Sequence, residues 1–325
     1  MVKPDVVAVA LTVVAVLLLE RRQGTAAGAL LALALFTKPT ALLPAAALVI
    51  WVVARDRAVL KRLLGGAAIG AAAGITVVAL FGPADVWRHV VSWNALPWSA
   101  GDAATIAVLG LLTVGVQLVV ALWLRGGGGP MGAYLAAAIG IVLLGGREGA
   151  TINYLLDLAA AASLALAANA DRIRLSALIP LAAVAQLAVA TLVLDPHAIL
   201  PDRRPTTGAW GDPARVSAAR TAFPPGAILA EDSGLLLAVG QAPVVDDLFL
   251  WSRLAARGDI DPGPVIAAAA AGRYAAVVSA VDLERLSEAP GYERARWDPR
   301  LVAAVLSRYR LDAPAAGSLF VYRPR

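Results

Sequence analysis

Between residues 6 and 194 the chain is built from eight apolar runs: 6–19, 25–36, 41–54, 63–82, 105–124, 130–145, 154–170 and 176–194. A helix crossing a hydrocarbon core needs roughly 20 such residues, or as few as ~17, so most of these runs read as membrane helices, while the second and third are each too short. Composition agrees, with 59% hydrophobic and 16% charged residues and a mean hydropathy of +0.73 over 325 residues, values that set the chain apart from ordinary water-soluble domains. Charge is divided unevenly. Residues 1–195 carry 13 Lys+Arg and 9 Asp+Glu, and the much shorter remainder carries 15 and 14. The expected fold is an α-helical polytopic membrane bundle of about eight helices, some short, over residues 1–195, followed by a small α/β extracytoplasmic domain over 196–325.

The stretch Phe36-Thr37-Lys38-Pro39-Thr40-Ala41 interrupts what is otherwise a single apolar block from 25 to 54. If that block were one crossing, Arg21 and Arg22 would lie on the opposite side from Arg55, Arg57, Lys61 and Arg62, against the tendency of basic residues to stay in the cytoplasm. A turn back at 37–40 puts both clusters inside, together with Arg125, Arg172 and Arg174. The count is then nine inside against four outside, the four being Lys3, Lys38, Arg88 and Arg147. Pro39 assists, since it disfavours helical geometry at Lys38 and has no N–H for a continuing helix. Two short arms leave Lys38 recessed below the outer surface, lining a dent open to the outside, with no acidic neighbour in sequence.

The same parity places 83–104 and 146–157 outside. Trp87, Trp93 and Trp98 suit an interfacial helix and loop. Met1–Arg22 reads as a membrane helix and not a signal peptide, because Asp5 lies in the would-be basic region and Glu20-Arg21-Arg22 stands where small cleavage-site residues belong. In the C-terminal part, 227–230, 243–247, 274–280 and 318–323 read as strands and 248–257, 263–271 and 299–310 as helices. Residues 126–129, Gly-Gly-Gly-Gly, read as a flexible cytoplasmic link.

Several chemistries are excluded or disfavoured. There is no cysteine, and so no disulfide or thiolate chemistry. Arginines stand singly or in pairs and never alternate with aromatics, which argues against a nucleic-acid surface. The two histidines are far apart, His197 reads as solvated, and no His-Glu-x-x-His pattern occurs. No cofactor is specified; a divalent cation held by Asp5 and a partner carboxylate is the one candidate. Polar groups near the membrane are costly and point to function. The outer set is Asp5, Lys38, Arg88, His89, Asp102, Arg147, Glu148, Asn153 and Asp157. Lys38 is a point-charge ligand for a phosphate, and Arg147 offers a fork for phosphate or carboxylate. Asp157, one turn after Asn153, reads as a polar packing contact. Gln117 and Gln186 are mid-helix amides suited to hydrogen bonds with neighbouring helices. Glu231, Asp232, Asp246 and Asp247 stand at strand ends, where such residues are usually turn formers.

Together, "KPDVVAVALTVVAVLLLERR", "LALALFTKPTALLPAAALVIWV", "GREGATINYLLDLAAAASLALA" and "AILAEDSGLLLAVGQAPVVDD" resemble stretches of the GT-C superfamily of polytopic membrane glycosyltransferases. The layout is similar to protein O-mannosyltransferases and aminoarabinose transferases. The resemblance implies an inverting transferase that moves a sugar from a polyprenyl-phosphate carrier to an envelope glycan, lipid or protein at the outer face of a bacterial plasma membrane. It implies that Lys38 meets the lipid phosphate, with Arg147 as a second candidate, and that Asn153 lines the acceptor or sugar cavity. Glu148, Arg88 and His89 complete the substrate-binding candidates. Asp5 is the catalytic candidate within the chain, although it matches a second acidic residue that opens a later helix. The family's base lies in a first outer loop, and this sequence begins downstream of where that loop should be.

Two other readings follow from the residues alone. One is a non-catalytic membrane protein that binds a lipid-linked glycan or a membrane partner subunit. The other, a transporter, is disfavoured because charge clusters at the outer face and is sparse at mid-membrane.

Overall fold

The computed structural model describes residues 4–124, 129–150, 152–173, 178–194, 213–289, 291–315 and 319–325. The chain forms two compact units, residues 1–200 and 201–325. Arg125, the first three glycines of 126–129, Arg174, His197 and the Pro/Arg-rich stretch to 212 lie outside the described residues.

The first unit is helical: α1 (Pro4–Glu20), α2 (Gly24–Thr37), α3 (Leu42–Arg55), α4 (Arg57–Phe81), α5 (Pro83–Trp87), α6 (Ala100–Trp123), α7 (Gly129–Leu144), α8 (Leu156–Ala167), α9 (Ala170–Ile173) and α10 (Leu178–Leu194). Among the described residues, α4 and α6 are long and apolar enough to cross a membrane; α2, α3, α7 and α8 are apolar but shorter. The break at 37–41 falls where proline requires it. Lys38 is extended (φ −153°, ψ 122°) and Pro39–Ala41 form a single 3₁₀ turn.

The direction of α3 follows from how α2 meets α4. Added Cβ atoms would lie 2.8 Å from the Val59 carbonyl oxygen at Gly24, 2.0 Å from that of Leu63 at Gly28, and 2.3 Å from the Phe36 ring at Gly74. Contacts thus advance together along both helices, which makes α2 and α4 parallel and requires α3 to run back between them. The backbones approach so closely because glycine stands at each crossing: at Gly66 a Cβ would be 1.8 Å from the Thr25 carbonyl oxygen, and at Gly70 2.4 Å from that of Ala29. Small residues at the seam are how helices pack when water does not drive them together. Outside the seam, α4 shows the reverse of a water-soluble helix. Val59, Leu63, Gly66, Gly70 and Gly74 are buried, whereas Ile69, Ile75, Leu80 and Phe81 are 59–79% exposed.

α10 is fastened to α6 by one side chain. The Gln186 amide donates to the carbonyl of Leu111 (2.8 Å), and its oxygen accepts from the Val116 N–H (2.6 Å). The other mid-helix amide behaves differently: Gln117 Oε1 is buried without a hydrogen-bond partner among the described residues.

The second unit contains α11 (Pro213–Ala222), β1 (Ile228–Ala230), α12 (Ser233–Ala238), α13 (Leu248–Arg257), α14 (Gly263–Ala270), β2 (Ala276–Ser279), α15 (Gly291–Ala295), α16 (Pro299–Arg308), β3 (Tyr309–Ala315) and β4 (Leu319–Pro324). The sheet order is β1-β2-β4-β3, with β1 and β2 parallel (Leu229 beside Val277) and the other pairs antiparallel (Val278 beside Val321, Leu311 beside Tyr322). Period-two alternation splits the core across the sheet. Leu229, Val277 and Tyr322 pack with Leu301 and Val305, while Ile228, Val278 and Val321 pack with Phe223 and Leu236. One strand expectation and one helix expectation need correction. Residues 243–247 are not a strand, because the carboxylate of Asp247 accepts from the Leu250 N–H (3.0 Å) and starts α13. The helix expected over 299–310 ends at Arg308, and residues 309–310 begin β3, which follows α16 without a loop.

Gly66→Ala and Gly65→Ala form a matched test of the seam. At Gly65 nothing lies within 4 Å of an added Cβ. The first change is expected to cost about 1–3 kcal/mol or more from overpacking, and the second to be neutral or slightly stabilising in a helix interior. Thermal melts in detergent distinguish them, and equal melting temperatures for the two variants would contradict the close approach.

Candidate functional site

One end of the first unit brings together Asp5, Lys38, Arg147, Asn153 and Asp157. Asp5 stands in the first turn of α1, and Lys38 at the end of α2 forms an ion pair with it. The pair is largely buried, with side-chain exposures of 17% for Lys38 and 8% for Asp5. Asn153, in the 3₁₀ turn Ile152–Leu155 that precedes α8, hydrogen-bonds the same carboxylate. Asp157, one turn further on, accepts from the hydroxyl of buried Tyr134 on α7 (2.8 Å). It is close enough to interact electrostatically with both Lys38 and Asp5. Lys38 has no acidic neighbour in sequence; its partner is 33 positions away along the chain and adjacent in space. Lys38 is tied into an ion pair and does not simply line an open dent.

Tyr154, which the sequence reading did not single out, joins the two basic candidates. Its ring lies under the Lys38 ammonium, 4.7 Å from Nζ to the ring centroid. Its hydroxyl accepts from Arg147 Nη2 at 2.9 Å. Arg147 Nη1 donates to the carbonyl of Asn94 (2.9 Å), and its Nε is buried without a hydrogen-bond partner among the described residues.

The segment leading into α6 is stapled to the loop that carries Arg147. The Ser99 N–H donates to Gly146 (2.7 Å), the Glu148 N–H to Pro97 (2.8 Å), and Trp98 Nε1 to Leu143 (2.8 Å). Gly146 leaves room for the Trp98 ring, since a Cβ there would lie 2.4 Å from Nε1.

Arg88 and His89 are not brought into this cluster. They lie exposed on the short π-helical turn Arg88–Ser92, where Arg88 approaches Asp85 (3.4 Å) and His89 Nδ1 bonds the Asp85 carbonyl (2.8 Å). His89 also meets the Trp93 ring edge-on at 4.2 Å between centroids. Trp87 and Trp98 are 63% and 58% exposed. Asp102 stands in the first turn of α6, where its N–H bonds the Ser99 hydroxyl (3.3 Å). Among the described residues no three His, Asp or Glu side chains group as metal ligands. At Asp5 the place of a cation is taken by the Lys38 ammonium.

In the second unit, Asp232 and Asp247 serve as helix caps for α12 and α13. Glu231 does more than form a turn: its buried carboxylate accepts from Trp297 Nε1 (2.8 Å), Arg296 Nη1 (3.2 Å) and the Ser279 hydroxyl (3.2 Å). Asp298 starts α16 by accepting from the Arg300 N–H (2.8 Å), and it also holds the Arg300 guanidinium (2.7 Å). That guanidinium keeps the Asp298 carboxyl below the usual aspartate range.

No family model, curated protein or solved structure matches the chain.

Two measurements test this geometry. Lys38→Met leaves the Asp5 charge buried and unpaired, so a destabilisation of about 3–5 kcal/mol is expected. Adding Asp5→Leu should recover most of it, and a double variant as unstable as the single one would contradict the pairing. Asp298→Ala removes a cap worth about 1 kcal/mol. Because the folded acid is the stronger one, its contribution is full above the ordinary aspartate value of ~3.9 and is lost as pH falls through the depressed folded value. Melts of the native chain and the variant should therefore converge in acid; a gap that persists at pH 2 would refute the role of the ionised carboxylate.

Proposed function

We propose that the chain is a polytopic membrane glycosyltransferase of GT-C type, taking a sugar from a polyprenyl-phosphate carrier to an envelope glycan, lipid or protein. The observation that carries the reading is the convergence of Lys38 and Arg147 on Tyr154, with the Arg147 Nε–H unsatisfied among the described residues, at the end of the bundle that the charge rule assigns to the outside. Two positive groups whose donors remain partly unspent suit a phosphate: an ammonium has three N–H donors and a guanidinium five. Supporting the membrane setting are α4 and α6, the large apolar residues displayed outward on the helices, and exposed Trp98 beside the loop that carries Arg147, which suits a headgroup layer. On this reading the protein is an integral protein of a bacterial plasma membrane, and the second unit lies outside the cell.

Within the site, Lys38 and Arg147 hold the phosphate that leaves with the carrier. Asn153 faces the sugar or acceptor and keeps Asp5 in place. Asp5 is the acid nearest the phosphate site, and in an inverting transfer a base takes the acceptor hydroxyl's proton as its oxygen attacks the sugar carbon. The Asp5–Lys38 pair also favours a second reading, a non-catalytic membrane protein that binds a lipid-linked glycan or a partner subunit, because the carboxylate is already engaged.

Transfer from a radiolabelled polyprenyl-phosphate sugar, measured with the native protein from source membranes, separates the readings. Lys38→Ala is expected to weaken donor binding by about tenfold or more, ~1.4 kcal/mol. Arg147→Ala should lower turnover or donor affinity similarly. Normal donor kinetics in both variants would sink the site assignment; saturable donor binding without transfer would favour the non-catalytic reading.

A further inference from the structure

We propose that Tyr154 is the positioning residue of the phosphate site, its ring setting Lys38 and its hydroxyl setting Arg147, so that a lipid phosphate meets both cations only while both ends of this side chain are present. The proposal rests on the donor-binding reading above. Tyr154 is 4% exposed and sits in the 3₁₀ turn between Asn153, which bonds Asp5, and Leu155, which is part of the bundle core. Its ring therefore cannot swing aside without disturbing both.

One side chain makes two chemically distinct contacts. The ring face attracts an ammonium by its quadrupole, and the hydroxyl oxygen accepts from one arm of a guanidinium. Asp5 occupies one donor of Lys38, and the ring restricts the directions in which the others can point. Asn94 and Tyr154 occupy the two terminal nitrogens of Arg147, which fixes where the unsatisfied Nε–H points. Neither cation is long-range steering charge at an open surface; each is aimed. Because aim depends on Tyr154 in different ways at its two ends, the contributions can be separated.

The test is a set of double-mutant cycles on the full chain in phosphatidylcholine nanodiscs, with polyprenyl phosphate as the probe. Tyr154→Phe keeps the ring and removes the hydroxyl, so it should weaken binding about tenfold, as a lost hydrogen bond to a charged group does. Combined with Arg147→Gln it should add almost nothing, because both changes remove the same contact, whereas combined with Lys38→Gln the effects should multiply. Tyr154→Leu removes ring and hydroxyl together; it should bind more weakly than Tyr154→Phe and show coupling to both cations. Affinity in Tyr154→Phe equal to the native value, or effects that multiply in every combination and follow the fall in melting temperature, would overturn the positioning role while leaving donor binding intact. Failure of the native chain to bind polyprenyl phosphate saturably would overturn this proposal together with the reading on which it rests.

Discussion

The Lys38 ammonium and the Asp5 carboxylate close on each other between the start of α1 and the end of α2, and the arrangement of that end of the first unit depends on them. Each alone would be a buried charge, so removing either is costly. Together they fix α1 against the turn at Pro39 and give Asn153 an anchor. The turn then sets α3 running back, which in turn allows α4 to lie parallel to α2. The glycine seam makes that parallel contact possible, because any side chain at Gly28 or Gly66 would meet backbone oxygen at 2.0 Å or less. A polar pair at one end and a stripe of absent side chains along the length thus determine one supersecondary unit.

Much of this unit is legible in the sequence. Pro39 announces a break, and the distribution of arginines decides that the break is a turn. The same parity groups Asp5, Lys38, Arg147, Asn153 and Asp157 with Arg88, His89, Asp102 and Glu148, and the structure brings the first five side chains together while Arg88 and His89 stay on their own turn. What is not legible is who partners whom. Nothing in local sequence links position 5 to position 38, and an ion pair across a turn is a tertiary fact. Tyr154 escaped notice because a tyrosine among apolar residues looks like core; only the two cations on its ring and hydroxyl distinguish it. In the second unit, β1, β2 and β4 are short apolar runs and could be read, whereas the Val-Val-Asp-Asp segment has strand-like composition but a helix-capping aspartate at its end. β3 alternates Tyr309, Arg310, Leu311 and Asp312 with no turn before it, so its period was absorbed into α16.

Each unit holds its buried carboxylates with several partners. In the second, Glu231 is satisfied three times over by Trp297, Arg296 and Ser279, and Asp298 by a helix start and a guanidinium. These contacts specify packing. Buried polar atoms without a hydrogen-bond partner among the described residues occur in both units, Arg147 Nε in the first and Glu293 Oε2, beside Arg296, in the second. An unsatisfied buried donor is unfavourable, and an incoming acceptor removes that cost.

The pairing also bears on biosynthesis. Chains emerge from the N-terminus first, so Asp5 is made before Lys38, and α1 precedes the hairpin that needs it. Arms of 14 residues are about 21 Å long, too short to cross a bilayer unaided, and the lysine at their tip has its counter-ion waiting when it arrives. Tyr154 and Arg147 are translated much later. The lysine thus gains its partners in two stages, first the carboxylate that offsets its charge and later the aromatic face of Tyr154, so this end of the unit is completed in the order in which its groups require one another.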